Sequence, residues 1–246
     1  MALPRFDVVR QPVPSGLASA PPQIGNRKLI DAPGLVYEQG HLIAAYLNLN
    51  DYADALDVPA VRDAVLRVRC PRERASGKGG MEADRSFFGW TPAVGFKGWQ
   101  VPRPAGMNKR DPDAQLTLDE AADGLASIYR QIDAARYQRH ADLAEQRLAG
   151  YRMAQSPWSS GVVNGSLLGF HRDGQNVPQT WSAMLTFRTG NLSGGELVLP
   201  ELGIAFACQD GTVAFFEGGT FWHGVTATFG PGTRRSAVWY TRNGRW

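Results

Sequence analysis

Apolar residues in the first part of the chain recur every three to four positions, a spacing that is typical of amphipathic helices. One helix is predicted near residues 41–56, and a second one begins at Pro59. A third helix begins at Thr117, which forms a capping box with Glu120, and it continues or restarts to end near Gly150. We expect these helices to support the domain.

From about residue 158 the pattern changes to short β-rich segments that are separated by Gly-Gly and Asp-Gly turns. The predicted strands cover residues 161–170, 181–189, 196–199, 212–216 and 236–241. Helices followed by a strand-dense end indicate an α+β fold, in which helices brace a β-barrel or sandwich on one side.

Two segments show neither a helical nor a strand periodicity. Residues 1–35 are rich in proline, glycine and serine and predict an irregular arm. Residues 69–113 combine glycines and prolines with aromatic residues and predict a long loop. The predicted organisation is therefore a single domain over 1–246, with the arm first, helical support and loops over 36–157, and a β-rich core over 158–246.

The composition is that of a globular protein, with 43% hydrophobic and 20% charged residues in 246. No apolar run approaches the ~20 residues of a membrane helix, so no membrane association is expected. The N-terminus has no basic cluster followed by an apolar stretch, which predicts an intracellular protein. Cys70 and Cys208 have no CxxC partner, which indicates reduced thiols and argues against a cysteine zinc site.

The net charge of +3 permits a polyanionic partner without requiring one. A local basic cluster is more suggestive, since such a segment could follow a phosphate backbone. Its members are Arg67, Arg69, Arg72, Arg74 and Lys78. A solvated basic loop explains the cluster equally well.

A candidate metal site stands within the β-rich part, where His171-Arg172-Asp173 is followed fifty residues later by His223. Alternate residues of an extended chain point the same way, so His171 and Asp173 can bind one metal while a remote strand supplies the second imidazole. Two histidines and one carboxylate leave three coordination positions open, as iron(II) needs for a bidentate co-substrate and dioxygen. The chain has only four histidines, which makes this placement harder to attribute to core packing.

A candidate carboxylate site follows eleven residues after His223, at Arg234. Strand alternation places Arg234 and Ser236 on the same face, and a guanidinium fork beside a hydroxyl suits a carboxylate. Arg235 belongs to the opposite face.

The order of these groups, with the Gly-Gly-Glu-Leu-Val-Leu-Pro strand at 194–200 between them, resembles the double-stranded β-helix of 2-oxoglutarate oxygenases. Within that superfamily the chain resembles the TET/JBP group, which hydroxylates the 5-methyl group of pyrimidines in nucleic acid. The resemblance covers residues 158–246 and implies Fe(II), 2-oxoglutarate and O2 as cofactors. It also implies iron ligands and co-substrate contacts. The ligands are His171, Asp173 and His223, and the contacts are Arg234 and Ser236.

Three further positions match the TET/JBP pattern for holding a flipped base. Asn176 stands where the family has a polar residue that bonds the base, Tyr240 where an aromatic stacks on it, and Arg242 where a polar group contacts its edge. A turn residue and an ordinary strand aromatic explain Asn176 and Tyr240 equally well. The chain departs from animal TET proteins in lacking their cysteine-rich zinc region and in carrying Arg242 in place of His. Residues 85–89 have no counterpart that we can align.

The expected activity is hydroxylation of 5-methylcytosine in DNA to 5-hydroxymethylcytosine, with DNA carrying a 5-methylpyrimidine as the partner. One alternative keeps the iron chemistry but acts on a protein side chain or a small metabolite. Another is a non-catalytic, cupin-like binding domain.

Overall fold

The computed structural model describes residues 3–74, 82–92, 102–148 and 150–243. Four α-helices fall within these ranges: α1 Val58–Arg67, α2 Met107–Arg110, α3 Pro112–Ile132 and α4 Ala134–Leu148. The strands within the same ranges are β1 Arg5–Val8, β2 Lys28–Ile30, β3 Gly34–Glu38, β4 His41–Asn48, β5 Arg72–Arg74, β6 Glu82–Pro92, β7 Pro102–Pro104, β8 Ser160–Asn164, β9 Ser182–Gly190, β10 Ser193–Gly194, β11 Leu197–Leu199, β12 Ile204–Phe206, β13 Thr212–Phe216, β14 Gly224–Val225, β15 Thr228–Phe229 and β16 Gly232–Tyr240.

The strands build two sheets that face each other across an apolar layer. The large sheet has the order β1-β3-β4-β13-β9-β16-β8-β6-β5, with β7 paired to β6, and the small sheet has the order β14-β11-β12-β2. Strands β10 and β15 form a separate pair. Helices α1 and α3 cover the outer face of the large sheet. This is an α+β double-stranded β-helix braced by helices, so the predicted fold class is confirmed.

Strand β16 shows how alternation separates the two faces of the large sheet. Ala237 and Trp239 are buried against the helices, and the Trp239 indole N–H donates to the Leu118 carbonyl of α3 (3.0 Å). Arg234 and Ser236 point the opposite way, into a cavity on the inner face. The outer face of this strand therefore anchors it, and the inner face is available for chemistry.

The prediction of a helix over 41–56 is wrong. That segment forms β4, in the middle of the large sheet between β3 and β13, followed by a short 3-10 helix at Leu49–Tyr52. All positions from 43 to 47 are buried, because β4 is covered on both faces. Such a strand gives a continuous apolar run, which periodicity alone does not separate from a buried helix.

The other predicted helices are confirmed, with one corrected boundary. Helix α3 begins at Pro112, capped by Asp111, whose carboxylate accepts the Ala114 N–H (3.1 Å). The capping box predicted at Thr117 is wrong, since the Thr117 hydroxyl donates to the Asp113 carbonyl within the helix (3.0 Å). The helical structure then restarts as α4, which ends at Leu148.

The two segments predicted to be irregular contain strands. The arm over 1–35 supplies β1, which pairs in parallel with β3, and β2, which pairs in parallel with β12, so it extends both sheets. The predicted loop over 69–113 contains β6, which pairs with β8 in the large sheet. Residues 75–81 and 93–101 of that loop lie outside the described residues. These strands were missed because their partners are distant in sequence and the glycines and prolines around them indicate loops.

The predicted strands of the β-rich core are confirmed with shifted ends, and 212–216 coincides with β13. Neither Cys70 nor Cys208 forms a disulfide bond among the described residues. In the described part of the chain, no helix has the length and apolarity to cross a bilayer.

Candidate active site

Backbone pairing brings the three predicted metal ligands together from two distant parts of the chain. His171 and His223 form an antiparallel bridge, in which the N–H of each donates to the carbonyl of the other (2.9 Å). The Asp173 N–H donates to the Gly218 carbonyl (2.9 Å), so the backbone of Asp173 is also held in place. The side chains therefore converge because the main chain at both ends is hydrogen-bonded.

The ligand atoms of the triad lie within 4.8 Å of one another. Asp173 Oδ1 lies 3.5 Å from His171 Nε2, and Asp173 Oδ2 lies 3.8 Å from His223 Nε2. Each imidazole has its Nδ1 against a backbone carbonyl, that of Gly169 (2.8 Å) for His171 and that of Phe221 (3.0 Å) for His223. These carbonyls fix the Nδ1–H tautomer and turn the Nε2 lone pairs toward the carboxylate.

The protonation states of the triad suit a cation. Burial lowers the pKa of His223 to about 4, so this imidazole is neutral near pH 7. Burial opposes ionisation of Asp173, but the His171 hydrogen bond and the His223 ring hold its pKa below the usual range. Burial also opposes protonation of His171, yet the bond to Asp173 outweighs it and raises that pKa. A half-buried carboxylate between two imidazoles fits a divalent metal, which would take the place of the shared proton.

Space for the carboxylate is provided by Gly218. A Cβ at this position would lie 2.6 Å from Asp173 Oδ2, too close for any other residue without a shift. The glycine thus lets the backbone of the β13 exit turn approach the metal ligand.

Asn176 contacts the same carboxylate from the other side. Its amide nitrogen donates to Asp173 Oδ2 (3.3 Å) and to Ser182 Oγ (3.1 Å), and its backbone N–H donates to the Asp173 carbonyl (2.9 Å). Both amide hydrogens are therefore engaged. No donor among the described residues reaches Asn176 Oδ1, on a side chain that lines the cavity.

Arg234 is a buried cation, 7% exposed, on the inner face of β16. One terminal nitrogen lies 3.4 Å from Thr186 Oγ1, and its Nε has no hydrogen-bond partner within the described ranges. Burial lowers its pKa from the ordinary value. An incompletely satisfied buried guanidinium beside the Ser236 hydroxyl fits the carboxylate of a co-substrate. Arg235 points to the helices and donates to the Val68 carbonyl at the end of α1, which confirms the predicted register.

Tyr240 and Arg242 lie at the end of β16, near Asn176. Asn176 and Arg242 form an isolated backbone bridge, and the Arg242 guanidinium donates to Gln175 Oε1. Burial raises the pKa of Tyr240, so its phenol is neutral. His140 of α4 supports this strand end from behind, because its Nε2 lies 2.6 Å from Thr241 Oγ1.

One cavity of about 820 Å³ is lined by all eight of the predicted site residues. These are His171, Asp173, His223, Arg234, Ser236, Asn176, Tyr240 and Arg242. The structure therefore places the metal ligands, the carboxylate site and the three base-contact candidates around one space.

Comparison with known proteins agrees with this arrangement. Residues 97–243 match the TET/JBP family model, described as the oxygenase domain of the 2OGFeDO superfamily. This chain belongs to the TET/JBP oxygenase family. It is an iron(II)- and 2-oxoglutarate-dependent oxygenase that uses O2. No curated protein matches the sequence.

Two solved structures show what this TET/JBP oxygenase is similar to. NgTET1, solved in complex with 5mC DNA, is 14% identical with a TM-score of 0.61, and the match covers 90% of this chain and 81% of that one. A Burkholderia pseudomallei oxidoreductase of the 2OG-Fe(II) oxygenase family is 16% identical with a TM-score of 0.48, covering 89% and 97%. At these identities the NgTET1 likeness shows the shared fold.

Several cavity residues of the TET/JBP oxygenase were missed by sequence reasoning. They come from the segment predicted to be a loop and comprise Arg85, Phe87, Arg103 and Arg110. Arg85 and Phe87 lie two apart on β6, so alternation in this segment is the signal that could have identified them.

Sequence reasoning also missed Glu201. This residue lies outside the cavity and links the two segments that carry the metal ligands. Its buried carboxylate accepts from the Arg172 guanidinium, between His171 and Asp173, and from the Trp222 N–H (2.9 Å), next to His223. The Arg172 guanidinium also lies over the Trp222 ring (5.5 Å). Glu201 therefore connects both halves of the triad.

We expect Glu201→Ala to weaken iron(II) binding by about 10- to 100-fold, as is typical when a group supporting metal ligands is lost. Glu201→Gln should lie between this variant and wild type, because an amide oxygen still accepts the Trp222 N–H. The measurement is an iron(II) titration, with Glu145→Gln on the exposed face of α4 as the control. Unchanged iron affinity in Glu201→Ala would show that the link is not needed to hold the ligands.

Proposed function

We propose that this oxygenase hydroxylates the 5-methyl group of 5-methylcytosine in DNA to give 5-hydroxymethylcytosine. In this proposal His171, Asp173 and His223 hold the iron, and Arg234 and Ser236 hold the far carboxylate of 2-oxoglutarate. Bound iron(II), with 2-oxoglutarate and O2, supplies the oxidising chemistry that converts the methyl group, releasing succinate and carbon dioxide. The observation that carries the choice of substrate is the convergence of Asn176, Tyr240 and Arg242 on the metal-binding cavity.

The hydrogen bonds of Asn176 favour cytosine over thymine. Since its amide nitrogen donates to Asp173 and Ser182, only Oδ1 is left to meet a base. An acceptor suits the exocyclic amine of cytosine, whereas thymine presents a carbonyl oxygen at the same position. Asn176 also contacts Asp173 directly, so a base bonded to Oδ1 lies close to the proposed metal ligand.

The length of β16 separates the two ends of the cavity. Six residues of extended chain from Arg234 to Tyr240 span roughly 20 Å, so the co-substrate carboxylate and a stacked base fit at opposite ends. A base within a duplex is out of reach of a buried metal, which requires that the nucleotide is flipped out. The Tyr240 ring is suited to stack on such a base. The complex of the similar NgTET1 with 5mC DNA supports this choice of substrate.

The iron assignment is tested by His171→Ala and Asp173→Ala. Both variants should lose iron binding and 2-oxoglutarate turnover while keeping the far-UV circular dichroism of the wild type, because the ligands line a cavity rather than the core. The matched control is His41→Ala, since His41 is exposed at the start of β4 and does not line the cavity. Full turnover in either ligand variant would refute the assignment.

The co-substrate assignment is tested by comparing two neighbouring arginines. Arg234→Lys should raise the KM for 2-oxoglutarate at least ten-fold, on the order of the loss expected when a point charge replaces a bidentate fork. Arg235→Lys should leave that KM near the wild-type value, because Arg235 contacts the end of α1 on the other face. A larger effect at Arg235 would place the wrong arginine in the cavity.

The substrate assignment is tested by measuring hydroxymethyl nucleoside and succinate together, using methylated DNA. Tyr240→Ala removes a stacking surface worth about 1 to 3 kcal/mol per base, so base oxidation should fall roughly ten- to a hundred-fold. Succinate release should fall less, which uncouples the two products. Tyr240→Phe keeps the ring and should retain most base oxidation.

Asn176→Ala should also lose base oxidation, with an additional loss of iron affinity through Asp173. Equal retention of both products in the Tyr240 and Asn176 variants would mean that the substrate is not a nucleobase.

A further inference from the structure

The cavity wall carries an excess of positive charge. Among its described lining residues are six arginines and a single carboxylate, that of Asp173. Arg234 faces the co-substrate end, Arg172 is paired with Glu201, and Arg242 donates to Gln175. Of the remaining three, Arg85 lies over the Phe87 ring (5.8 Å), and Arg103 and Arg110 lie on the wall without being explained by the proposed metal or co-substrate sites.

Arg103 and Arg110 are both exposed. Neither forms an ion pair with any residue in the described ranges. Toward the described residues, the Arg110 guanidinium donates one hydrogen bond, to the Ser86 hydroxyl of β6 (3.1 Å). By contrast, Arg67 of the predicted basic cluster is paired with Asp63 (2.8 Å), and Lys78 lies outside the described residues.

Both arginines stand on ordered backbone that is tied to the large sheet. Arg103 lies on β7, opposite Thr91 of β6, and β6 pairs in turn with β8 beside the cavity. Arg110 ends α2, and its guanidinium lies over Gly106, where a Cβ would come within 2.9 Å of Nη1. Both positive groups are therefore held at the wall and exposed, and no acidic residue of the described ranges pairs with them.

We propose that Arg103 and Arg110 bind backbone phosphates of the nucleic-acid strand whose target base enters the cavity. This inference rests on the proposed function. A flipped nucleotide brings its flanking phosphates to the mouth of the pocket that receives the base. Arginine matches phosphate geometry, and such contacts position the strand without regard to sequence. The two residues thereby set the depth and direction in which the strand lies across the cavity.

The test is the salt dependence of binding of a fluorescein-labelled DNA duplex containing 5-methylcytosine, followed by anisotropy without 2-oxoglutarate. Each lost phosphate contact should reduce the slope of log Kd against log salt by about 0.9, so Arg103→Gln with Arg110→Gln should reduce it by about 1.8 and weaken binding. The same double change to Lys keeps two point charges and should retain most of the slope. The matched control is Lys109→Gln, which removes one charge from α2 at a residue that does not line the cavity.

The outcomes separate this inference from the proposed function. An unchanged slope in the double Gln variant, with wild type oxidising methylated DNA, overturns the phosphate contacts alone. A Lys109→Gln effect as large as that of the cavity arginines also overturns them, because it indicates general surface charge. Wild-type protein that releases succinate but neither binds nor oxidises DNA overturns both proposals. A selective loss of slope in the Gln variant, restored by Lys at an equal melting temperature, confirms the contacts.

Discussion

The backbone bridge between His171 and His223 is the constraint on which the cavity depends. It joins a loop after β8 to the start of β14, so it ties the large sheet to the small one at the metal-binding end. Because the bridge uses main-chain groups, it positions both imidazoles without requiring a side-chain interaction. The carbonyls of Gly169 and Phe221 then fix the rings, and Asp173 needs only its own backbone bond to complete the triad.

Burial of charge explains why the cavity needs its ligands. Arg234 is a buried cation and Asp173 a half-buried carboxylate, and leaving either one incompletely paired costs free energy. A metal cation beside the carboxylate and a co-substrate carboxylate beside the guanidinium would relieve both costs. Their binding should therefore stabilise the fold as well as enable the chemistry. Asn176 belongs to this network through its hydrogen bond to Asp173, and in the proposed function it would couple base recognition to the position of that carboxylate.

The sequence predicted which site residues lie together better than it predicted the elements of the N-terminal half, and the reason is physical. His171, Asp173, Arg234 and Ser236 follow the two-residue period of extended chain, and that period is a local property. The failure at β4 has the opposite cause, since a strand covered on both faces carries no alternation. The contact of Asn176 with Asp173 was also missed, because a tertiary hydrogen bond leaves no mark on spacing.

The arginines that sequence reasoning missed show where residue spacing no longer reveals the chemistry. The metal-binding end is built from residues 160–243, where short-range spacing reveals the chemistry, whereas Arg85, Arg103 and Arg110 reach the same cavity through β6 and the segment after it. In the large sheet β6 lies between β8 and β5, so β8 connects it to the central strands. The cavity wall that β6 carries is therefore added to one side of a core that already holds the triad. Changes in this wall can alter the charge that faces the cavity without disturbing the bridge that places the histidines. In the proposed function, the contacts to the nucleic-acid backbone would therefore come from the half of the chain where local patterns are weakest, whereas the base-contact candidates come from the half where spacing reveals the chemistry.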